Sequence, residues 1–210
     1  MDARLLLTAL DRLNRDRLLL YPTETFYAIG GNALKASVAA EIYRVKERAR
    51  MNPLPIILGA LEQLEMVADQ VPEAAKKLIR RFWPGPLTLL LPALSNLPLP
   101  LHGGSGKIAV RLSAHPAARE LCLKAGFPLI STSANLSGEA PARVPEEMPP
   151  ALLEAAGGFI YQAAPRPAGG LPSTIVEIAE GKPGKLRLIR PGAVPLEDLL
   201  HEGFTLVDRL

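Results

Sequence analysis

The sequence predicts an α/β fold in which the strands of a sheet alternate with helices. Short apolar runs bounded by turn residues recur along the chain, as buried strands do, and stretches with apolar residues at helical spacing lie between them. The composition, 48% hydrophobic and 21% charged over 210 residues, is that of a globular protein long enough to bury a sizeable core. We therefore expect a single domain over residues 1–210, built as a sheet with helical crossovers.

The first predicted elements are a helix and a strand. Leucines at positions 6, 7, 10 and 13 are separated by polar residues, which predicts an amphipathic helix over residues 3–16. Residues 18–21 form an apolar run that Pro22 stops, the pattern of a buried strand that ends in a turn. Residues 22–31 contain hydroxyl side chains and glycines, which predicts a loop.

A second helix and a second strand follow. Ser37 is a candidate N-cap for a helix whose apolar residues extend to Val45, so that Lys46 lies at the helix end. Two prolines then precede an apolar run at residues 56–58, which predicts a strand.

The rest of the chain repeats this alternation. Helical spacing predicts further helices over residues 61–68, 72–82, 117–125 and 151–156. Apolar runs predict further strands at residues 87–91, 108–112, 129–130, 159–161, 173–178 and 186–189. The last two strands are close in sequence and predict a hairpin across residues 180–184. Glycine and proline mark loops at residues 138–150 and 163–172, which are candidate lids.

Composition and cysteine content limit the class of protein. No apolar run approaches the roughly 18 residues that a membrane helix needs, and an early acidic residue, Asp2, does not fit a signal peptide. Cys122 is the one cysteine, so it forms no internal disulfide, as expected in a reducing cytosol. It lies in a predicted apolar helix, where an inert core thiol is expected. We therefore expect a cytoplasmic protein with no membrane partner.

Positive charge is concentrated in two short clusters. The net charge of +3 is too small by itself to indicate a nucleic-acid binder. The clusters are formed by Arg44, Lys46, Arg48 and Arg50, and by Lys76, Lys77, Arg80 and Arg81. Such charges repel one another unless water or an anion separates them, so each cluster is either a solvated helix face or a phosphate site.

Two hydroxyl-rich segments carry the residue types of a polar ligand site. Residues 21–30 join a strand end to hydroxyls and one carboxylate, and residues 131–138 follow a strand with four hydroxyls and an amide. Either segment alone could be an ordinary turn. The first segment suits a small polar ligand at the end of a sheet, and the second suits phosphate oxygens or a hydrated metal.

A third segment, residues 46–53, supplies cations. Prolines at its end disfavour a helix, and an extended chain would direct Lys46, Arg48 and Arg50 to one side. That convergence is unfavourable in a bare protein and favourable around a polyphosphate. We expect neither Lys46 nor Arg48 to be a core residue.

Several common catalytic devices are absent from the sequence. No Gly-x-x-x-x-Gly-Lys-Ser/Thr phosphate loop and no Gly-x-Ser-x-Gly elbow occur. His102, His115 and His201 are isolated, so no transition-metal site is expected. His115 precedes a proline, which indicates a helix start or a surface position.

Taken together, these segments resemble the YrdC-like family of threonylcarbamoyl-AMP synthases, in order from about Leu18 to Val194. The matching motifs are Tyr-Pro-Thr-Glu-Thr at 21–25, Lys-x-Arg at 46–48, Asn-Pro-Leu at 52–54, Phe-Trp-Pro-Gly-Pro-Leu-Thr at 82–88, Val-Arg at 110–111, His-Pro at 115–116, Ser-Thr-Ser-Ala-Asn-Leu-Ser-Gly at 131–138, Pro-Ser-Thr-Ile-Val at 172–176 and Arg-Pro-Gly-Ala at 190–193. The resemblance implies a twisted, open, mixed α/β sheet flanked by helices, with a large, positively charged concave cavity.

The resemblance also implies a reaction. L-Threonine and bicarbonate would give an N-carboxylated threonine, whose new carboxylate attacks the α-phosphate of ATP and expels pyrophosphate. Mg²⁺ would assist, and no protein nucleophile is needed. The adenylate would pass to a partner protein that modifies adenosine in tRNA, and contact with tRNA itself is a further candidate interaction.

The same resemblance assigns site residues. The implied ATP-binding residues are Lys46, Arg48, Arg50, Ser133, Asn135 and Arg190, and the catalytic ones among them are Lys46, Arg48, Ser133 and Asn135. The implied threonine-binding residues are Thr23, Arg111, Ser131 and Ser173.

The sequence departs from the family pattern at three positions. Ala28 stands where glycine is usual, Ala49 where proline is usual, and Lys107 where threonine is frequent. Only 17 residues follow Ala193, so we expect no additional C-terminal domain. Two alternatives stay open: a double-stranded RNA or tRNA-binding module without catalysis, and a nucleotide-binding paralogue that acts on another carbamoylated acid.

Overall fold

The computed structural model describes residues 3–47, 53–182 and 184–207. These residues contain the helices α1 Ala3–Asn14, α2 Ala36–Val45, α3 Glu73–Phe82, α4 Leu99–His102, α5 Pro116–Ala125, α6 Pro150–Ala155 and α7 Leu196–His201. They also contain the strands β1 Leu19–Pro22, β2 Tyr27–Gly30, β3 Ile56–Leu58, β4 Leu87–Pro92, β5 Lys107–Leu112, β6 Leu129–Ile130, β7 Thr132–Ser133, β8 Thr174–Ile178, β9 Lys185–Arg190 and β10 Thr205–Leu206. Short 3-10 helices lie at Leu61–Met66 and Pro145–Glu147.

Most of the strands form one mixed sheet in the order β10-β9-β8-β4-β5-β3-β6. In it, β4 pairs antiparallel with β5 and parallel with β8, and β8 and β9 form an antiparallel hairpin. The remaining strands form a small antiparallel sheet in the order β1-β2-β7. Helices flank the sheets, and α5 contacts α1, β1 and β3. The mixed α/β fold expected from the sequence is confirmed, and so is the hairpin. It is not formed by the last two strands, because the unpredicted strand β10 follows and pairs parallel with β9.

Alternation along the central strands separates a buried face from a face that carries polar groups. Leu87 and Leu89 of β4 are at most 1% exposed and belong to the main hydrophobic core. On β5, Val110 lies in the same core, whereas its neighbours Ala109 and Arg111 line a cavity. Successive side chains of a strand point to opposite faces, so one strand supplies both the core and the wall of the cavity.

Several predicted elements differ from the structure because tertiary pairing decides them. Residues 27–30, expected in a loop, form strand β2, which pairs with both β1 and β7. The helix expected over residues 61–68 is a 3-10 helix that ends at Met66. Residues 159–161 were expected to form a strand, but only Ile160 makes a bridge, with Leu20.

The start of α2 also differs from the expectation. The helix begins at Ala36, and its N-cap is Lys35, which makes no side-chain capping hydrogen bond. Ser37 therefore lies inside the first turn and is not the cap. Asn32 organises the preceding turn instead, because its Oδ1 accepts a hydrogen bond from the Leu34 amide at 2.9 Å.

Gly30 lies where β2 passes close to the backbone of Ile130. A Cβ atom at position 30 would lie 1.6 Å from the carbonyl oxygen of Ile130, so only glycine fits. We predict that Gly30→Ala lowers the free energy of unfolding by about 3 kcal/mol, because a backbone carbonyl cannot move aside cheaply. The control is Gly184→Ala, where nothing lies within 4 Å of an added Cβ and a change within about 0.5 kcal/mol is expected. Urea denaturation compares the two variants, and equal stabilities would contradict the close approach.

Candidate active site

A cavity of about 380 Å³ is lined by residues of both sheets, a volume in the range of small-molecule sites. Its polar lining comes from the turn after β1, the face of β5, the segment around β7, and the residues flanking β8 and ending β9. The charged and amide- or hydroxyl-bearing lining residues are Thr23, Thr25, Tyr27, Arg111, Ser131, Thr132, Ser133, Asn135, Glu139, Ser173 and Arg190. Residues distant in sequence thus meet around one space.

Most of the residues expected at the site lie on this cavity. Its lining contains Thr23, Arg111, Ser131, Ser133, Asn135, Ser173 and Arg190. Lys46 is not among the lining residues but contacts two of them, Ser133 and Asn135. The expected contributions of Arg48 and Arg50 fall on positions outside the described residues.

Lys46 is the centre of a network that joins the end of α2 to the segment around β7. Its ammonium group donates to the Ser133 carbonyl oxygen, and to Asn135 Oδ1 at 3.4 Å. The Ser133 hydroxyl donates to the same Asn135 oxygen. Ser137 Oγ donates to the Lys46 carbonyl oxygen at 3.0 Å. These bonds tie Lys46 to the segment 131–137, of which Ser131, Thr132, Ser133 and Asn135 line the cavity.

Lys46 differs from the expectation in two respects. It is only 2% exposed, so it is a core residue; the carbonyl and amide oxygens that it contacts replace water around the buried ammonium. It also has helical backbone angles, φ −87° and ψ −1°, and Glu47 follows with φ 48°. The chain is therefore not extended at positions 46 and 47, and the expected two-residue alternation does not begin there.

Arg111, another lining residue, forms a buried ion pair with Glu24. Its Nε lies 3.2 Å from Glu24 Oε1, and the two side chains are 9% and 14% exposed. Ser113 Oγ donates to the other carboxylate oxygen at 2.6 Å. Burial favours the neutral carboxyl, but Arg111 and the Ser113 hydroxyl outweigh it and hold the pKa of Glu24 below its usual value. Glu24 is therefore ionised at neutral pH.

Thr23 closes the turn between β1 and β2. Its hydroxyl donates to the Phe26 carbonyl oxygen at 2.7 Å and lies 3.2 Å from Thr25 Oγ1. Because the Thr23 proton is given to Phe26, its oxygen can accept a hydrogen bond from a ligand but cannot donate one.

Ser173 is held by two donors. Arg190 Nη2 donates to the Ser173 carbonyl oxygen at 2.7 Å and to its Oγ at 3.0 Å, and Thr88 Oγ1 donates to the same Oγ at 2.9 Å. Since Ser173 Oγ accepts both bonds, its own proton is free to reach a ligand in the cavity. Thr88 is buried and is not among the site residues expected from the sequence; its place at the end of the motif at 82–88 is the signal that could have indicated it.

His115 starts α5, as expected, but it is buried rather than exposed. Its Nδ1 accepts a hydrogen bond from the Ala117 amide at 3.2 Å, so the ring proton lies on Nε2 and is donated to the Pro165 carbonyl oxygen at 2.7 Å. Burial lowers the pKa of His115 and outweighs the opposing influence of the Pro165 carbonyl and of Glu24. The neutral tautomer thus ties α5 to the segment 163–172.

The neutral state of His115 gives a pH-dependent stability. Because the folded protein binds this proton less readily than the unfolded chain, His115 should lower stability as the pH falls below the unfolded value of about 6.5. The variant His115→Asn keeps a capping acceptor without titrating, so its loss of stability between pH 7 and 5 should be smaller. The measurement is the urea concentration at the unfolding midpoint at several pH values across this range. If this midpoint changes with pH equally in both proteins, His115 does not change its protonation on unfolding.

Two cations of the second basic cluster, Lys76 and Arg81, pair with acidic side chains, and a third bonds a backbone carbonyl. Lys76 lies 2.6 Å from Glu73, Arg81 lies 3.1 Å from Glu202, and Lys77 donates to the Glu202 carbonyl oxygen. This arrangement favours the solvated helix face over a phosphate site on α3.

Other expectations concern residues away from the cavity. Cys122 is a core thiol, and burial raises its pKa to about 12. Across the three described ranges, no group of three or more His, Cys, Asp or Glu side chains could hold a metal ion. No helix in these ranges is long and apolar enough to cross a membrane.

The fold and the cavity define an α/β protein with a polar ligand site formed by hydroxyls, an amide and buried cations. The family is given by comparison with known proteins. The family model Sua5_yciO_yrdC, described as "Telomere recombination", matches residues 11–192. The chain belongs to the Sua5/YciO/YrdC family, which confirms the resemblance seen in the sequence.

Two of the relatives in sequence are named threonylcarbamoyl-AMP synthase. The threonylcarbamoyl-AMP synthase of Pyrococcus abyssi is 36% identical over 192 residues, which cover 89% of this chain and 54% of that protein. The threonylcarbamoyl-AMP synthase of Escherichia coli O1:K1 / APEC is 34% identical over 178 residues, which cover 83% of this chain and 91% of that protein. The crystal structure of P. abyssi Sua5 complexed with L-threonine matches with a TM-score of 0.85 and 32% identity, over 99% of this chain and 60% of that chain. The chain thus spans little more than half of the P. abyssi protein.

Proposed function

We propose that the chain synthesises L-threonylcarbamoyladenylate from L-threonine, bicarbonate and ATP, with release of pyrophosphate. The observation that carries this proposal is the single cavity in which Ser133 and Asn135, contacted by Lys46, share the lining with Arg111 and Ser173. Relatives named threonylcarbamoyl-AMP synthase, and the threonine complex of P. abyssi Sua5, support it.

The nucleotide phosphates would bind at the lining residues Ser133 and Asn135, next to Lys46. In this structure the Ser133 hydroxyl donates to Asn135 Oδ1, and Asn135 Nδ2 donates to the carbonyl oxygens of Leu136 and Glu139. Both groups would exchange these partners for phosphate oxygens when the nucleotide binds. The Lys46 ammonium lies next to both residues. Arg190 would contact the nucleotide from the end of β9. The sequence motif adds Arg48 and Arg50 to this proposed set.

L-Threonine would bind at the part of the cavity lined by Arg111 and Ser173. A guanidinium matches a carboxylate with two parallel hydrogen bonds, so Arg111 is suited to the substrate carboxylate. Thr23 can accept a hydrogen bond and Ser173 can donate one, which gives complementary partners for a substrate amine and hydroxyl. Ser131, also in the lining, completes the proposed threonine site.

The reaction then needs no covalent bond to the protein. The threonine amine attacks the carbon of bicarbonate, water is lost, and a carbamate forms. A carbamate oxygen attacks the α-phosphorus of ATP, and the bond to the bridging oxygen breaks as pyrophosphate leaves. The side chains contribute by holding the two substrates together and by stabilising the charge that builds up on the phosphates.

The described lining suits a magnesium ion that arrives with the nucleotide. Glu139 is the lining carboxylate in the described part of the chain. Mg²⁺ in nucleotide sites is commonly held by one or two carboxylates together with substrate phosphates. Glu139 would therefore help to hold the ion, which would supply further neutralisation of phosphate charge.

The reactivity of the product implies a partner enzyme that receives it. A carbamoyl adenylate is a mixed anhydride that hydrolyses in water, so it would be transferred directly to an enzyme that attaches the threonylcarbamoyl group to adenosine in tRNA. Bicarbonate, this partner enzyme and contact with tRNA are all part of the proposal.

Threonine-dependent pyrophosphate release tests the function. Purified protein with ATP, Mg²⁺ and bicarbonate should release pyrophosphate on addition of L-threonine, and much less with L-valine, which has the same shape without the hydroxyl. Release that does not depend on any amino acid would reject the synthase. Preferential release with a different acid would favour the paralogue that handles another carbamoylated substrate.

A further inference from the structure

Glu24 is a buried carboxylate at the cavity for which the proposed reaction has no use. Its side chain is 14% exposed and contacts the lining residue Arg111, but Glu24 itself is not in the cavity lining. A buried charge of this kind is costly unless it is paired. The contact of this carboxylate with Arg111, a proposed substrate-binding residue, therefore calls for a functional explanation.

The contact between Glu24 and Arg111 involves one edge of the guanidinium. Arg111 Nε lies 3.2 Å from Glu24 Oε1, although the N–H is not aligned with that oxygen, so the pair is electrostatic rather than a good hydrogen bond. Because a guanidinium is planar and has donors on two edges, occupation of the Nε edge leaves the edge with the two terminal nitrogens for another carboxylate.

Glu24 is itself held through both its side chain and its backbone. Ser113 Oγ donates to its second oxygen at 2.6 Å, and its backbone oxygen accepts from the Ala168 amide at 3.2 Å. The Gly169 amide bonds the next carbonyl, of Thr25, at 2.7 Å. The carboxylate is thus held by Arg111 of β5 and by Ser113 directly after that strand. The backbone of residues 24 and 25 is bonded to the segment 163–172.

We propose that Glu24 is a positioning residue that holds the Arg111 guanidinium in the orientation that receives the amino-acid carboxylate. It neutralises a cation that would otherwise be buried without a counterion before substrate binds, and it restricts rotation of the planar group. This inference rests on the proposed function and adds to it a residue that selects for a free α-carboxylate in the substrate.

The variant Glu24→Gln tests the role of the charge. Glutamine keeps the shape and can still accept the bond from Ser113, but it no longer pairs with Arg111. We expect the KM for L-threonine to rise about 10- to 100-fold, as for a misplaced substrate-binding group, whereas the KM for ATP changes by less than about twofold. Direct binding measurements should show the same loss for L-threonine, and no binding of L-threoninamide, which lacks the carboxylate, to either protein.

Two further variants separate positioning from stability. Glu177 is also a buried carboxylate, 7% exposed, paired with Arg187 at 2.7 Å and with Lys107, and it is not in the lining of the site cavity. Glu177→Gln should therefore destabilise the fold without changing the KM for L-threonine. Glu24→Asp keeps the charge at a shorter reach, so its KM for L-threonine should lie between those of the parent and Glu24→Gln.

The possible results separate the inference from the proposed function. If the parent protein neither binds L-threonine nor releases pyrophosphate in its presence, both the proposed function and the inference are wrong. An active parent whose KM for L-threonine is unchanged in Glu24→Gln overturns the inference alone. An equal rise in the KM values for ATP and L-threonine, or the same change in Glu177→Gln, would make Glu24 merely structural. If Glu24→Gln does not fold, a KM of Glu24→Asp equal to that of the parent likewise overturns the inference.

Discussion

Replacing Lys46 with methionine is expected to reduce threonine-dependent pyrophosphate release by about 100- to 1,000-fold. The ammonium lies next to the two groups proposed to bind phosphate, Ser133 and Asn135, and it is buried where its field is weakly screened. Methionine has a similar volume, so the core stays filled while the charge is removed. Steady-state kinetics with ATP and L-threonine measure the loss.

The control for this variant is at the other end of the same helix. Lys35→Met removes an exposed cation that lies 3.6 Å from Asp16, and its activity should stay within about twofold of the parent. Thermal melting verifies that both variants are folded. Full activity in folded Lys46→Met, or an equal loss in Lys35→Met, would contradict a role of Lys46 in phosphate binding.

Replacing Arg111 with lysine is expected to raise the KM for L-threonine about 10- to 100-fold and to leave the KM for ATP nearly unchanged. Lysine keeps the charge that compensates Glu24, which avoids a buried unpaired carboxylate, but it cannot form two parallel bonds to a substrate carboxylate. The ratio of the two KM values is the readout.

A second arginine serves as the reference for this substitution. Arg187→Lys also alters an arginine paired with a buried carboxylate, Glu177, outside the lining of the site cavity. Neither KM value should change in it. If Arg111→Lys instead weakened ATP binding and left L-threonine binding unchanged, the proposed positions of the phosphates and of L-threonine in the cavity would have to be exchanged.

The parts of the fold that the sequence predicts are those in which local pattern and tertiary environment agree. Strands β4, β5, β8 and β9 are apolar runs between turn residues, and the structure contains all of them. Strand β2 could not be predicted in this way, because its hydroxyl-rich neighbourhood and glycines resemble a loop and only its pairing with β1 and β7 makes it a strand.

For the cavity, too, the sequence predicts what local motifs show and misses what tertiary contacts decide. Residues of the conspicuous motifs, among them Thr23, Ser133 and Ser173, line one cavity although they are far apart in sequence. The burial of Lys46 was not predictable from its charge, because the carbonyl and amide that compensate it come from a segment almost 90 residues later. The pairing of Glu24 with Arg111 likewise joins two motifs that nothing in the local pattern connects.

The central claim is that one cavity holds the phosphates of ATP and the carboxylate of L-threonine together. A crystal structure with L-threonine and an ATP analogue that has a methylene group between the α- and β-phosphorus atoms tests it most directly, because this analogue cannot release pyrophosphate. The account predicts phosphate oxygens within about 3 Å of Ser133, Asn135 or the Lys46 ammonium, and the threonine carboxylate on Arg111. A nucleotide bound outside this cavity, or a threonine that does not contact Arg111, would contradict it.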